Sequence, residues 1–366
     1  MRTKRTLRCM VIAVLLFCLI APIWAQASYE AARAPQTIVF TDSTGREVEL
    51  PANITRVAPS GPAAQMILYS VAPDSLIGWG TKPSDAQKKY MDGKYWNLPV
   101  FGQFYGKNNT LNLEALIAAD PQVIIDLGDM KKTHKEDMQG IQEQTGIPTI
   151  FIEANLKTFP DAYRQLGKLL GVEEQAEAIA TYIEQTTAMA KTNAATIPEN
   201  EKVSVMFGTG SAGLDVNAKN SIHADVIDII GAVNAIEVPN VSSKGGGNTI
   251  NMEQLMMFNP DVILFSEGGP YNTVATDPLW QGLDAITDGA YYEIPGKPYN
   301  WLSSPPSVNR IIGIPWLGNL IYPELYQLDM VEEAKKFYSL FWHCNLSDDE
   351  AKDLLQNSTM KAASKR

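Results

Sequence analysis

Cysteine is nearly missing from this chain: it has three in 366 residues, and two of them, Cys9 and Cys18, lie in the first twenty. Without that leading segment only Cys344 remains, so the rest of the chain cannot close an internal disulfide. Histidine is as scarce. His134, His223 and His343 stand far apart, with no H-x-x-H or C-x-x-C spacing, so a dedicated zinc site built by the protein has no support in the sequence. Positive charge is short as well: Lys and Arg total 30 against 41 Asp and Glu, a formal net charge of −11. That balance argues against nucleic acid and against anionic membrane surfaces as partners. Outside the first 27 residues, nothing approaches the ~20 consecutive apolar residues that span a bilayer.

The first 27 residues have a layout of their own. A basic cluster (Arg2, Lys4, Arg5, Arg8) precedes the apolar run "CMVIAVLLFCLIAPIWA", and Ala25-Gln26-Ala27 follows, the pattern of a cleaved secretory signal peptide. Pro22 interrupts the run, which disfavours a permanent membrane anchor, and bulky Phe17 before Cys18 disfavours a lipid attached there. Removing this leader takes four positive charges from −11 and leaves −15, on a protein expected to be soluble and exported to the periplasm.

Two stretches read almost alike: "NLEALIAADPQVII" from Asn112 and "NMEQLMMFNPDVIL" from Asn251. In each, an Asn can cap a short helix, a Pro ends it, and an apolar run of the kind buried on both faces of a sheet follows. Strands and helices alternate around both copies. "TIVFTDSTGREVELP" reads as a β-hairpin, "LIGWG", "VIIDL" and "IPTIFIE" as strands, and 133–146 as a helix. After Pro198 the grammar restarts with the strand "VSVMFG" and the helix "SIHADVIDIIGAV". Between the copies, Glu173 to Asn193 keeps apolar or small residues at helical spacing with no Gly or Pro, long enough at about 30 Å to cross from one lobe to another. The chain closes with two helices separated at Asn345-Leu346-Ser347. The expected architecture is α/β: two doubly wound α/β lobes, 28–171 and 195–366, joined by one long helix over 172–194.

The order of these motifs, from the leader through "TIVFTDSTGREVELPANITRVAPSGP", the two Asn-x-Glu repeats, the mid-chain helix and "DVIDIIGAVNA" to "FYSLFW" and "LSDDEAKDLL", resembles one family. It is that of the ABC-transporter periplasmic binding proteins for ferric siderophores, haem and cobalamin, a class that also includes molybdate and tungstate binders. The resemblance covers essentially the whole chain after the leader. It implies a ligand cleft between the lobes, and as partners a small-molecule ligand and an ABC permease dimer with its cytoplasmic ATPase. It also implies that a surface glutamate on each lobe docks to arginines of the permease; the matching positions are Glu114 and Glu253. Each is equally placed as a solvated residue favoured in the first turn of its helix. The binding protein itself is expected to be a monomer without a cofactor.

Ligands of open α/β lobes bind beyond the carboxyl ends of the strands. Ser60 and Gly61 stand there, before a helix whose free N–H groups suit an anionic oxygen; Ser60 is equally suited to be that helix's cap. Trp79 follows another strand. Tyr105, in "GQFYG", offers an aromatic wall with a hydroxyl. "KPYNWLSSPPSVNRIIGIPWLGNL" is a rigid irregular loop entering a helix, in which Asn300 and Trp301 are candidates for one wall. Its Arg310 either offers a planar donor fork to ligand oxygens or pairs with a lobe carboxylate. His223, near Asp225, is either a ligand contact or a helix-end residue.

An enzyme finds little support. "GTGSAG" (208–213) fits neither G-x-S-x-G nor G-x-G-x-x-G, and no Ser–His–Asp set is visible, which leaves a secreted hydrolase as the least favoured class. The reading is therefore recognition without turnover, with an iron or other metal chelate (siderophore-, haem- or corrinoid-like) as cargo. A molybdate or tungstate oxyanion is the alternative.

Overall fold

The computed structural model describes residues 36–105, 109–242 and 246–359. The leader and Gly106 of the "GQFYG" segment lie outside them.

The chain enters through the hairpin β1 (Thr37–Thr41) and β2 (Glu47–Pro51), antiparallel with Thr37 opposite Pro51. β3 (Val57–Pro59) leads into helix α1 (Pro62–Val71). The first repeat supplies α2 (Leu113–Ala119) and β4 (Val123–Gly128); α3 (His134–Thr145), β5 (Thr149–Glu153) and α4 (Phe159–Leu170) complete the first lobe. Its sheet runs β3-β4-β5, all parallel, and β4 is buried along nearly its whole length, as an uninterrupted apolar run requires. The segment "LIGWG" forms only isolated bridges, Val57 to Leu76 and Trp79 to Val100. A side chain at Gly78 would strike the ring of Phe101, and one at Gly80 the backbone of Gly61, so the chain is held there by close approach rather than by a ladder.

Helix α5 (Glu173–Ala194) follows, 22 residues without Gly or Pro. It packs on α4 closely enough that a Cβ on Gly167 would collide with the Ala176 side chain. Arg164 of α4 clamps it with forked bonds to Glu177 (2.8 Å) and Glu184 (2.7 Å).

The second lobe is built on β6 (Ser204–Thr209), β7 (Asp215–Val216), β8 (Val233–Asn234), β9 (Asn248–Thr249), β10 (Val262–Phe265) and β11 (Tyr291–Glu293). The order is β11-β10-β6-β7-β9, with β8 beside β6. β8, β6, β10 and β11 are parallel, whereas β7 and β9 turn antiparallel. Between them lie α6 (Asp225–Ile229), shorter than its sequence pattern predicts because Gly231 turns the chain into β8, and the second repeat helix α7 (Met252–Phe258). The chain ends in α8 (Arg310–Ile321), α9 (Met330–Trp342) and α10 (Asp348–Leu354), the last opened by a capping box at Ser347.

One continuous core reaches through α5 into both lobes. The far face of α5 packs on α6 and α8, and α9 crosses back to α1 of the first lobe. There Trp342 stacks on Tyr69, Phe341 meets Tyr163 edge-on, and Tyr182 of α5 donates to Glu333 at 2.6 Å. The lobes thus share apolar burial, the dominant stabilising term, along the helix that joins them.

Candidate functional site

The carboxyl ends of β3 and β4 open on a cavity of about 210 Å³ that loops of the other lobe help to close. The first lobe contributes Ser60, Gly61, Tyr105, Asp126, Asp129, Lys131 and His134, and the second Ile222, Pro305 and Pro306. A second cavity of about 470 Å³ lies on the far side of the 298–306 loop, lined by Thr209, Asp215, Ser266, Glu267, Tyr299 and Asn300 among others. The lobes touch between them: Gln65 donates to the Tyr299 hydroxyl (3.1 Å) and Ser307 to the Ala63 carbonyl (3.1 Å).

The first cavity is organised by Asp126. It ends the apolar run of β4, where β geometry carries its side chain to the rim, and it is 4 % exposed. The Ser60 hydroxyl donates to Oδ1, and the Tyr105 hydroxyl to Oδ2 at 2.6 Å. Ser60 is therefore not the cap of α1. Gly61 holds that position with no side-chain cap, and Pro62 brings no N–H, so the amides of Ala63 and Ala64 lack intrahelical partners at the cavity wall.

His134 completes the network at the start of α3. The Lys131 amide donates to Nδ1 (2.9 Å), so the neutral ring carries its proton on Nε2 and donates it to the Tyr105 oxygen (3.0 Å). Burial against Phe151, whose ring stacks at 4.1 Å, pushes the imidazole below its usual pKa, with the Asp126 charge opposing. Burial first, then Asp126, drives the Tyr105 phenol well above its ordinary value. Among the described residues no group of three or more His, Cys, Asp and Glu side chains is arranged to hold a metal ion.

The remaining candidates divide. Asn300 lines the second cavity, its Oδ1 holding the amides of Leu302 (3.0 Å) and Ser303 (3.1 Å). Trp79 and Trp301 are core residues, each 1 % exposed, and present no face to either cavity. The Trp79 indole donates to the Tyr95 carbonyl (2.9 Å), and Trp301 packs edge-on against Trp316 and donates to the Tyr338 hydroxyl (3.3 Å). A satisfied N–H removes the cost of burying such a ring. Arg310 is wholly buried as well: Nη1 donates to the Ile222 carbonyl (3.0 Å) and to Asp225 (3.3 Å), while Nη2 has no partner among the described residues. Burial raises Asp225 to a pKa of about 6, with Arg310 pulling the other way. His223 is buried with Nδ1 at 2.5 Å from the Ser303 hydroxyl, not at an exposed helix end.

Asp126 and His134 had a weaker trace in the sequence. A single acid closing "VIIDL" was the available signal for the first; the second is brought in by the turn before α3. Around both cavities acids outnumber bases: Asp126, Asp129, Asp215 and Glu267 face only Lys131. Glu114 and Glu253 lie away from the cavities, exposed in the first turns of α2 and α7.

A model of the periplasmic binding protein family matches residues 61–298. The Fe(3+)-citrate-binding protein YfmC of Bacillus subtilis is 22 % identical over 231 residues, 60 % of this chain and 69 % of that one. Among solved structures, an ABC transporter solute binding protein from Sulfurospirillum deleyianum is similar with a TM-score of 0.80 and 28 % identity, over 87 % of this chain and 99 % of its own. A periplasmic solute binding protein from Veillonella parvula gives 0.73 and 26 %, over 88 % and 98 %.

Proposed function

Because the chain belongs to the family of periplasmic binding proteins, we propose that it captures a metal chelate in the cleft between its lobes and hands it to the permease of an ABC importer. The family consists of solute-binding transport proteins, not enzymes; its members bind a small molecule outside the cytoplasm and work with permease and ATPase components. One observation carries the chelate reading: hydroxyl, carboxylate and imidazole groups of Ser60, Tyr105, Asp126 and His134 are drawn together in one cavity. The ferric-citrate binding named for the Bacillus relative supports iron as the metal. The acidic cleft speaks against a highly anionic complex, which would need several cations.

The partnerless amides at the start of α1 favour a second reading, a molybdate or tungstate oxyanion held at a helix N-terminus. In either case residues 1–27 are a cleaved leader, the lobes 28–171 and 195–366 are joined over 172–194, and the protein works as a periplasmic monomer that docks through Glu114 and Glu253. Native mass spectrometry with elemental analysis, on mature protein from its own cells, is expected to find an iron- or cobalt-containing mass. Molybdenum or tungsten with a small added mass would replace the chelate by the oxyanion. An organic ligand without metal would overturn both.

A further inference from the structure

We infer that Met256 and Met257 of α7 are a modification site for peroxide, and that their oxidation to sulfoxides weakens docking through the second lobe while the first is left untouched. The inference rests on the docking of Glu114 and Glu253 proposed above and adds a regulation to it.

Residues three and four apart are neighbours on a helix surface. Met256 and Met257 follow Glu253 at those two spacings, and long helical side chains lean back toward the N-terminus, over the turn that carries the acid. Met257 is 85 % exposed, more than any other large apolar side chain among the described residues, and Met256 is 43 % exposed. Met256 Cε rests against Gly282, where a Cβ would come within 2.9 Å of it. Met252 and Phe258 of the same helix are half-buried against the core of the lobe, so the helix is held while its outer thioethers stand clear. At the same two spacings after Glu114, the first lobe has Ile117 and Ala118, which offer no sulfur.

Competing targets are few. Cys344 is the one cysteine among the described residues; it is half-buried, and burial raises its thiol pKa, which keeps the reactive thiolate scarce. Met66, Met138 and Met206 are buried. Met130, in the turn before α3, is the third exposed methionine of the described residues.

The step is a two-electron oxidation with a peroxide as co-reactant. The thioether sulfur attacks one peroxide oxygen, the O–O bond breaks and an S–O bond forms. The sulfur-bound OH gives its proton to the departing hydroxide, which leaves as water, so that sulfur is oxidised and peroxide reduced. Methionine sulfoxide reductases reverse the change. A sulfoxide turns a flexible apolar side chain into a polar acceptor. A cationic pocket fitted to a carboxylate aims its donors at Glu253. A sulfoxide beside that acid is then either desolvated without a donor or takes one from the carboxylate, and the contact weakens about fivefold or more.

The test treats mature protein with hydrogen peroxide and follows oxidation of each methionine by peptide mass spectrometry. Binding of fluorescently labelled protein to spheroplasts of its own cells is measured before and after treatment. Met257 should be oxidised first and Met256 next, well before Met66, Met138 and Met206. Treated protein should bind spheroplasts about fivefold more weakly or worse, and recover after incubation with methionine sulfoxide reductases and dithiothreitol. In a variant carrying Met256→Leu and Met257→Leu, whatever its starting affinity, peroxide should leave binding where it was. Unchanged binding of the oxidised protein overturns the inference. An equal loss in the leucine variant overturns it too, because the damage then lies at Met130 or elsewhere. The variant Glu114→Arg with Glu253→Arg separates this inference from the docking reading. If it fails to bind while oxidised protein binds normally, only the inference falls; if it binds as well as unmodified protein, docking itself fails.

Discussion

Helices α2 and α7 are written in one pattern and set in different surroundings. Each starts from an asparagine whose side chain accepts the amide three residues on, at 3.0 Å for Asn112 and 2.8 Å for Asn251. Each buries one leucine completely, Leu116 or Leu255, and each stops at a left-handed residue before a proline, Asp120 or Asn259. They part on the solvent side. Gln254 closes a capping box that Ala115 cannot, and α7 exposes Met256 and Met257 where α2 exposes Ile117 and Ala118. What is repeated is what starts the helix, anchors it and ends it; what varies faces water. Glu114 and Glu253 break that rule. They are identical on the variable side, yet make no hydrogen bond or ion pair among the described residues. The helix dipole favours an acid at both places, and the docking proposed above would use the same pair.

The largest expected effect tests that exception. Reversing both charges (Glu114→Arg with Glu253→Arg) should abolish uptake in cells while leaving ligand affinity of the purified protein unchanged; undiminished uptake would remove docking from the comparison. Next come the anchors. Leu116→Ala and Leu255→Ala should each cost about 2–5 kcal/mol in urea unfolding, and a near-zero value for either would mean that the two helices are not equivalent supports. The caps should give the smallest changes. Asn112→Ala and Asn251→Ala should each cost about 1 kcal/mol. Ala115→Gln, which supplies the missing half of the box, should return about 0.3 kcal/mol or slightly more in the same assay.

The repeat, the long helix and the strand ends were legible because each is a local matter of period, cap and punctuation. Ser60 and Gly61 were found by the rule that cavities lie past strand ends, and Tyr105 as an aromatic hydroxyl between the glycines of "GQFYG"; all three line the cavity. The network around them was not, because Ser60, Asp126 and His134 meet only through the order β3-β4-β5 and the turn before α3. Trp79 and Trp301 misled for the opposite reason. Glycines and prolines beside an indole look like a binding loop in one dimension, but a carbonyl and a phenol accept the indole N–H groups and let both rings sink into the core. Arg310 is buried too, but less completely satisfied: Nη1 reaches Asp225 and a carbonyl, while Nη2 has no partner among the described residues.

Helix α5 has a consequence for how this protein reports that it is loaded. A hinge needs residues free to change φ and ψ, and this one has neither glycine nor proline in 22 positions, is gripped by Arg164 and shares its core with α8 and α9. Bending it would break backbone hydrogen bonds and open packed apolar surface together. The lobes are splinted. On the proposed reading, cargo settling among Asp126, Asp129 and Lys131 alters the charge at the cleft more than the outline of the two lobes.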